Sequence, residues 1–487
     1  MANNEVLKMS ENGHHEYCAT VIKVENLTPI ENSDHLATID VNGLKTVVDK
    51  RVVSEGDVVI YISNECQIAI DFLSANNMYN FSNFELNSNR AEVDKLIAEN
   101  KIDDAKALCG FFEKNGRVRT IKLRGVQSFG ITISPKDIIK WQPQFEGFDF
   151  NKYIGTDFDM VGDRFFVKAY VPPIQTDNRN SNATKSEHDK GDRLNRLVPG
   201  EFVFHYDTQL LAKNMDLINP DTEVAISVKM HGTSFIFANV KCNHLMKIPF
   251  YKRIWNKIVS KKFKNLKFKD SYVDFGELYS SRKILKNAYE YRNKKNNYTT
   301  DEYGYFAQKL HGKIPNGMTI YGEIVGFKPR STSFEQKNYD YGCMPGECKL
   351  MIYRITIEDE KGVHKELAVN EVKGVTHNLR MNYPELSDCL IEIPILYIGN
   401  LNDLLHLPID DHWKEKAVEE LSNLKQFHMN EKEPMCKNKV PREGIVIRIM
   451  NDPKAEAFKL KCIKFLTHEA KEIDEGNVDT EMQNNVW

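Results

Sequence analysis

Short apolar runs with the alternation of β-strands recur through the second half of this chain. They include VAISVKM, SFIFANV, MTIYGEIVGF, KLMIYRITIED, EGIVIRI and AFKLKCIKFL. Residues 411–430 differ, because Trp413, Val418, Leu421, Leu424 and Phe427 can share one helical face. The mixture of strands and helices predicts an α+β domain built on antiparallel sheets.

The first part of the chain carries shorter strand signals. Residues 36–49 alternate apolar and polar side chains around Asn42-Gly43, which suits the positive φ of a two-residue hairpin turn. A third strand is expected in residues 53–63 and two more around Gly125 and Gly130, with a helical insertion over residues 87–108. Five short strands indicate a small β-barrel. Residues 18–62 also resemble the tRNA-binding type of OB fold, which implies contact with nucleic acid, with a purely structural barrel as the alternative.

A cluster of basic residues stands out against a formal net charge of −3. Residues 247–269 contain nine Lys or Arg and no acidic residue, with aromatic residues between them. Ammonium groups suit phosphates and aromatic faces suit bases, so this cluster is a candidate RNA contact. An amphipathic helix with core aromatics and solvated lysines is the alternative. The candidate contacts are Lys252, Arg253, Lys257, Lys261 and Lys262.

The composition favours a soluble, cytoplasmic protein with no membrane contact. No stretch approaches the roughly 18 apolar residues that a membrane-spanning helix needs, and the first residues are polar where a signal peptide is apolar. The nine cysteines are scattered. Their spacing fits reduced thiols in a protein core better than a disulfide framework.

The segment 228–234, VKMHGTS, lies between two apolar runs and places Lys229 at the end of a strand beside a tight glycine turn. A lysine amine must lose a proton before it can act as a nucleophile. Neighbouring cations or desolvation can lower its pKa from about 10.4 toward ~7–8. Lys229 is therefore a candidate nucleophile, although KxHG by itself is a common pattern.

Five further motifs follow Lys229, each in or beside a predicted strand. They are YSSRK at 279–283, YGEIVG at 321–326, LMIYRI at 350–355, REGIVIR at 442–448 and FKLK at 458–461. With KxHG, this ordered set resembles the covalent nucleotidyltransferases, which include ATP-dependent ligases and capping enzymes. Within that superfamily it resembles the nick-sealing RNA ligases, which allow KxHG where DNA ligases have KxDG.

The resemblance implies a set of site residues, with ATP and Mg²⁺ as cofactors and Mn²⁺ as a substitute. The catalytic residues would be the AMP-carrying Lys229 together with Arg282, Lys459 and Lys461. The nucleotide would contact His231, Gly232, Glu323, Tyr353, Glu443, Lys459 and Lys461, and Glu443 would hold the metal through water. Taken singly, Arg282, Glu323 or Glu443 could be a surface ion-pair residue. Tyr353 could be a core strand residue rather than a stacking platform for adenine, and His231 could only cap the turn.

The order of segments separates the branches of the superfamily. DNA ligases and capping enzymes place an OB domain after the last lysine motif, whereas 22 residues follow Phe465 here. We expect an N-terminal OB-fold domain with a helical insertion at 1–175, a polar linker at 176–195 and a nucleotidyltransferase domain at 196–487. This order resembles the RNA ligases that seal 3′-OH/5′-phosphate nicks.

The resemblance implies an ATP-dependent RNA ligase that repairs RNA through a lysine-AMP intermediate and an adenylated 5′ end. Its partners would be RNA or RNA-containing duplexes, with end-healing enzymes as further candidates. Three alternatives stay open: a DNA ligase, a GTP-using RNA-capping guanylyltransferase, and a non-enzymatic RNA- or tRNA-binding protein. The natural RNA and the oligomeric state are not indicated.

Overall fold

The computed structural model of the chain describes residues 6–11, 13–172, 193–246, 249–259, 271–287, 301–450 and 456–476. The chain divides into two compact units, the first comprising residues 1–172 and 466–476 and the second residues 173–465 and 477–487. Residues 176–192 of the predicted linker lie outside the described residues. The predicted domain boundaries stay a prediction.

The first unit contains fourteen short strands among its described residues. They are β1 (Leu7–Lys8), β2 (Ala19–Lys23), β3 (Thr28–Pro29), β4 (Leu36–Val41), β5 (Leu44–Asp49), β6 (Val58–Ile62), β7 (Cys66–Ile68), β8 (Ile121–Leu123), β9 (Val126–Ser128), β10 (Ile131–Ile133), β11 (Asp157–Phe158), β12 (Met160–Val161), β13 (Arg164–Phe165) and β14 (Val167–Ala169). The predicted hairpin is confirmed, because β4 and β5 pair antiparallel across Asn42 and Gly43, whose φ angles are 54° and 77°.

Three strands, rather than two, fill the region around Gly125 and Gly130. Both glycines have positive φ: Gly125 lies in the turn between the paired strands β8 and β9, and Gly130 lies between β9 and β10. The predicted helical insertion is confirmed as α2 (Arg90–Ala98) and α3 (Ile102–Ala107), between α1 (Ile70–Ala75) and α4 (Pro135–Trp141). Short 3-10 turns occupy Phe81–Leu86, Pro143–Phe145 and Phe150–Tyr153.

The strands of the first unit form several separate sheets. The largest has the order β10-β6-β2-β11, and the hairpin belongs to a three-stranded sheet, β3-β4-β5. Among the described residues these ladders do not close into a barrel. The OB barrel therefore stays a prediction, whereas the mixed α+β class is confirmed.

The second unit is built on two larger sheets. Its strands are β15 (Gln209–Leu210), β16 (Glu223–Lys229), β17 (Thr233–Leu245), β18 (Ser271–Ser280), β19 (Met318–Gly326), β20 (Cys348–Glu358), β21 (His364–Glu366), β22 (Leu390–Glu392), β23 (Ile395–Asn400), β24 (Gly444–Ile449) and β25 (Ala457–Lys461). One sheet has the order β15-β25-β24-β16-β23 and the other the order β18-β17-β19-β20-β21, with β22 beside β20. All pairs are antiparallel except β15 with β25 and β20 with β22.

The second unit also contains helices. They are α5 (Phe250–Ile258), α6 (Glu302–Leu310), α7 (Val369–Asn382), α8 (Leu401–Leu405) and α9 (Trp413–Asn423), with 3-10 turns at Leu211–Lys213, Met215–Leu217, Pro384–Leu386 and Lys425–Phe427. The last helix, α10 (Ile463–Asp474), has residues 463–465 in the second unit and the remainder in the first. The predicted apolar face is confirmed, since Trp413, Val418, Leu421 and Phe427 join the core cluster that also contains apolar residues of β16 and β24.

All nine cysteines are free thiols, and eight of them are buried. Within the described ranges, no helix has the length and apolarity needed to cross a bilayer.

Candidate active site

The turn that carries Lys229 joins the two sheets of the second unit. Lys229 is the last residue of β16 in the five-stranded sheet, and Thr233 is the first residue of β17 in the other. Gly232 allows the close approach, because a Cβ there would lie 2.4 Å from the carbonyl oxygen of Ile324 and 2.8 Å from Cγ of Glu323. The turn therefore requires glycine for steric reasons and holds the Lys229 side chain at a strand end.

Strand register brings the last lysine motif beside Lys229. Lys229 pairs with Gly444 of β24, and Gly444 pairs with Lys461 of β25. Residues in one row of a sheet share a face, as do residues two apart on a strand, so Lys459 projects from that same face. Gly444 lies tightly between the two lysines, since a Cβ there would be 2.1 Å from the Leu460 carbonyl oxygen.

Glu443 is the acidic centre of this site. Its Oε1 lies 2.7 Å from Nζ of Lys229, and its Oε2 lies 3.8 Å from Nδ1 of His231. The carboxylate is buried, and Oε2 has no hydrogen-bond donor among the described residues. The His231 ring packs edge-on against Tyr339 and Phe465, at centroid distances of 4.8 and 4.9 Å.

The electrostatics of the pair correct one expectation. Burial disfavours the Lys229 ammonium, but the carboxylates of Glu443 and Glu323 together outweigh burial, and the pKa of Lys229 is raised. Lys461 acts in the opposite direction and is too weak to reverse the result. Burial also opposes ionisation of Glu443, yet Lys229, His231 and Lys461 lower its pKa. The expectation that nearby cations keep Lys229 unprotonated is therefore wrong.

The remaining predicted residues lie on the facing sheet. Glu323 of β19 is the register partner of Ser234 in β17, and its charge contributes to the raised pKa of Lys229. The hydroxyl of Tyr353 in β20 lies 3.2 Å from Nδ1 of His205, and Oγ of Ser234 lies 3.4 Å from the same nitrogen. Glu323 thus lies beside Ser234 in the sheet, and Tyr353 is connected to Ser234 through His205.

Arg282 lies two residues after the end of β18, and its guanidinium donates a hydrogen bond to Asp207. Asp207 in turn lies 4.0 Å from Nε2 of His205. Burial and the nearby Arg282 lower the pKa of His205 to about 3, so this imidazole is neutral at ordinary pH. Neither His205 nor Asp207 was predicted from the sequence, because the segment that carries them matches none of the ordered motifs.

The basic cluster is partly described. Lys252, Arg253 and Lys257 lie on α5, whereas Lys261 and Lys262 lie outside the described residues. Tyr251 and Trp255 of the same helix are 66% and 48% exposed. The alternative in which the aromatic residues of this segment form core is therefore wrong for these two side chains.

Known proteins resemble this chain in sequence over its second half and in fold over most of its length. Residues 222–465 match the RNA ligase family. No curated protein sequence matches the chain.

Several solved structures of RNA ligase from Naegleria gruberi are similar to most of the chain. A lysine-to-alanine variant with ATP and Mn has 17% sequence identity and a TM-score of 0.50, and the match covers 92% of this chain and 98% of that one. A glutamate-to-alanine variant with AMP and Mn has 17% identity and a TM-score of 0.51, with 93% and 98% covered. The same ligase with pyrophosphate has 16% identity and a TM-score of 0.50, with 93% and 99% covered. At these identities the likeness concerns the fold.

Proposed function

The chain belongs to the RNA ligase family, and we propose that it joins RNA 3′-OH and 5′-phosphate ends through AMP carried on Lys229. The observation that supports this most strongly is the row Lys229, Gly444, Lys461, which sets a lysine nucleophile beside a second cation. The carboxylate of Glu443, at 2.7 Å from the Lys229 amine, is the third charged side chain of this site. Such a set suits transfer of a phosphoryl-linked nucleotide.

The proposed reaction has three steps. Nζ of Lys229, after losing a proton, attacks the α-phosphorus of ATP, and the bond to the bridging oxygen breaks as pyrophosphate leaves. A 5′-phosphate oxygen then attacks the same phosphorus, which breaks the P–N bond and transfers AMP to the RNA end. The 3′-OH finally attacks the 5′-phosphorus, AMP leaves, and a phosphodiester forms.

The ion pair of Lys229 with Glu443 must separate before the first attack, because an ammonium has no lone pair to donate. Lys461 lowers the pKa of Lys229, so it favours the reactive amine as soon as the effect of Glu443 is relieved. Lys459, Lys461 and Arg282 would neutralise phosphate charge. Glu323 would bind the ribose hydroxyls, Tyr353 would stack on adenine, and His231 and Gly232 would contact the α-phosphate.

Glu443 also fits a divalent cation. Its Oε1 accepts from Lys229, whereas Oε2 is buried without a hydrogen-bond donor among the described residues, which leaves one oxygen for a hard cation or its water. The Naegleria ligase structures with Mn and ATP or AMP support this choice. We propose that Glu443 holds Mg²⁺ through water, with Mn²⁺ as a substitute. When bound, the ion would offset phosphate charge during transfer.

We further propose that RNA is held by two other surfaces. The first unit would act as an OB-type platform, a role supported by its cleft of about 1320 Å³, which is lined by Phe111, Arg119 and Lys136 among others. The second surface is the basic cluster, where Lys252, Arg253, Lys257, Lys261 and Lys262 would contact phosphates. The exposed aromatic rings beside Lys252 suit stacking on bases.

A sealing assay on a nicked duplex tests this function. The strand on the 3′-OH side ends in ribose or in deoxyribose, and product is measured after denaturing electrophoresis. We expect sealing of the ribose-ended nick with ATP and Mg²⁺, and none with Lys229→Ala. Lys241→Ala is the matched control, because Lys241 is another strand lysine in the same unit, paired with Glu358. Equal sealing of both nicks would favour a DNA ligase, and sealing by Lys229→Ala would contradict the proposal.

A further inference from the structure

The six residues 336–341, called here the 336–341 loop, lie between β19 and β20 and belong to none of the ordered motifs. Gln336, Tyr339 and Tyr341 are buried, with exposed fractions of 4%, 1% and 2%. Two residues of the loop, Asn338 and Tyr341, have backbone φ angles of 68° and 43°. A bulky tyrosine in the left-handed region costs free energy and persists only where surrounding contacts fix it.

The loop satisfies the backbone of the Lys229 turn. Nε2 of Gln336 donates to the Gly232 carbonyl oxygen at 2.7 Å, and the His231 N–H donates to the Tyr341 hydroxyl oxygen at 2.9 Å. Both backbone groups lie in the connection between β16 and β17, where neither sheet ladder pairs them. Side chains of the loop therefore replace the sheet hydrogen bonds that this turn lacks.

The same loop also forms hydrogen bonds with residues 437–441, the segment just before Glu443 and β24. The hydroxyl of Tyr339 donates to the Pro441 carbonyl oxygen at 2.9 Å. The carboxylate of Asp340 accepts from the backbone N–H groups of Lys437 and Asn438, each at 3.0 Å. One short loop is thus hydrogen-bonded to His231, two residues after Lys229, and to Pro441, two residues before Glu443.

We propose that Gln336, Tyr339 and Tyr341 are positioning residues that hold the backbone of the Lys229 turn and of the segment before Glu443 in place for lysine adenylation. The inference rests on the proposed function of Lys229. These three side chains act on the reaction through the backbone of His231, Gly232 and Pro441. Loss of one bond would allow the nucleophile turn to shift relative to Glu443, and shifts on the order of 1 Å can slow an oriented reaction by about a hundredfold.

Single-turnover adenylation with α-labelled ATP and Mg²⁺ tests the proposal, after any bound AMP has been removed with pyrophosphate. Gln336→Met removes a donor, and Tyr341→Phe removes an acceptor, while each keeps most of the side-chain volume. We expect each variant to lower the maximal rate constant about ten- to a hundredfold, with the half-saturating ATP concentration and the labelled fraction unchanged. Tyr61→Phe is the matched control, because it removes a buried hydroxyl bonded to the Phe129 carbonyl in the first unit.

Rate and amplitude separate positioning from folding. A purely structural role would lower the labelled fraction, through loss of folded protein, and leave the rate constant of the remaining molecules unchanged. That result, or rate constants within twofold of wild type for both variants, would overturn the proposal. Absence of any lysine adenylate in the wild-type protein would instead contradict the proposed function itself, so the two failures are distinguishable.

Discussion

The Nζ atom of Lys229 lies 2.7 Å from Oε1 of Glu443, although the two residues are 214 positions apart in the chain. Strand pairing places them together, since Lys229 ends β16 and its register partner Gly444 begins β24. The predicted nucleophile is therefore held as an ammonium by the carboxylate next to it. This relationship implies that the site must change its charge distribution before Lys229 can react.

Replacement of Glu443 by Gln should have two separable effects. Because Glu443 raises the pKa of Lys229, its neutralisation should lower that pKa and move the pH–rate profile of lysine adenylation to lower pH. The plateau rate should nevertheless fall by about a hundredfold, because a carboxylate beside the phosphates and their metal is lost. The measurement is the single-turnover rate as a function of pH. A profile that moves to higher pH would contradict this account.

Asp207 is expected to compete with the nucleotide for Arg282. Since the Asp207 carboxylate already binds the guanidinium, Asp207→Asn should lower the KM for ATP by about two- to fivefold, and added salt should shrink the effect. Asp216→Asn is the control, because this carboxylate is 92% exposed and pairs with Lys414 instead. An unchanged or higher KM in Asp207→Asn would show that Arg282 does not contact the phosphates.

The close packing at Gly444 predicts a loss of both stability and activity in Gly444→Ala. The new Cβ would lie 2.1 Å from a backbone carbonyl oxygen, so β24 and β25 must move apart, with Lys461 on the displaced strand. We expect a loss of about 1–3 kcal/mol in the free energy of unfolding, measured by denaturant titration. Gly374→Ala in α7 meets no atom within 4 Å and should be stabilising by about 0.4–1 kcal/mol. Equal effects at the two sites would refute the steric argument.

Asp340 should make a pH-dependent contribution to stability. Burial opposes its ionisation, but the backbone N–H groups of Asn438, Lys437 and Gly342 outweigh burial and lower its pKa. A lowered folded-state pKa stabilises the protein above the unfolded value of ~3.9, and the effect disappears as the pH falls through the folded value. Asp340→Asn should therefore cost about 2 kcal/mol near neutral pH and progressively less in acid.

Thermal unfolding of wild type and Asp340→Asn across this pH range measures the effect. Asp103→Asn provides the control, since the Asp103 side chain is 99% exposed. A destabilisation that does not change between neutral and acidic pH would mean that the ionised carboxylate is not the stabilising group.

The strand ends that carry the proposed catalytic residues could be predicted because each motif consists of a few consecutive residues. Lys229, Glu443 and Lys461 each lie within a few residues of an apolar β run, and the Asn42-Gly43 turn specifies its hairpin by backbone conformation alone. In the structure Lys229 contacts Glu443, and Lys461 lies in the same row of the sheet, on the other side of Gly444.

The remaining contacts depend on tertiary structure. The sequence around His205, Asp207 or Gln336 shows neither a periodic apolar pattern nor one of the ordered motifs. Each of these residues acts through a residue that is distant in the chain. The sign of the Lys229 pKa shift depends on the balance of burial and Lys461 against Glu443 and Glu323, which only the tertiary structure decides.

The most direct test of the central claim is to locate the AMP. The protein is incubated with ATP and Mg²⁺, denatured, weighed intact by mass spectrometry and then digested for peptide mapping, with Lys229→Ala in parallel. We predict one AMP per chain, on the peptide that contains Lys229, and none in the variant. AMP on another residue such as Lys459, or AMP that is released by denaturation, would contradict the account.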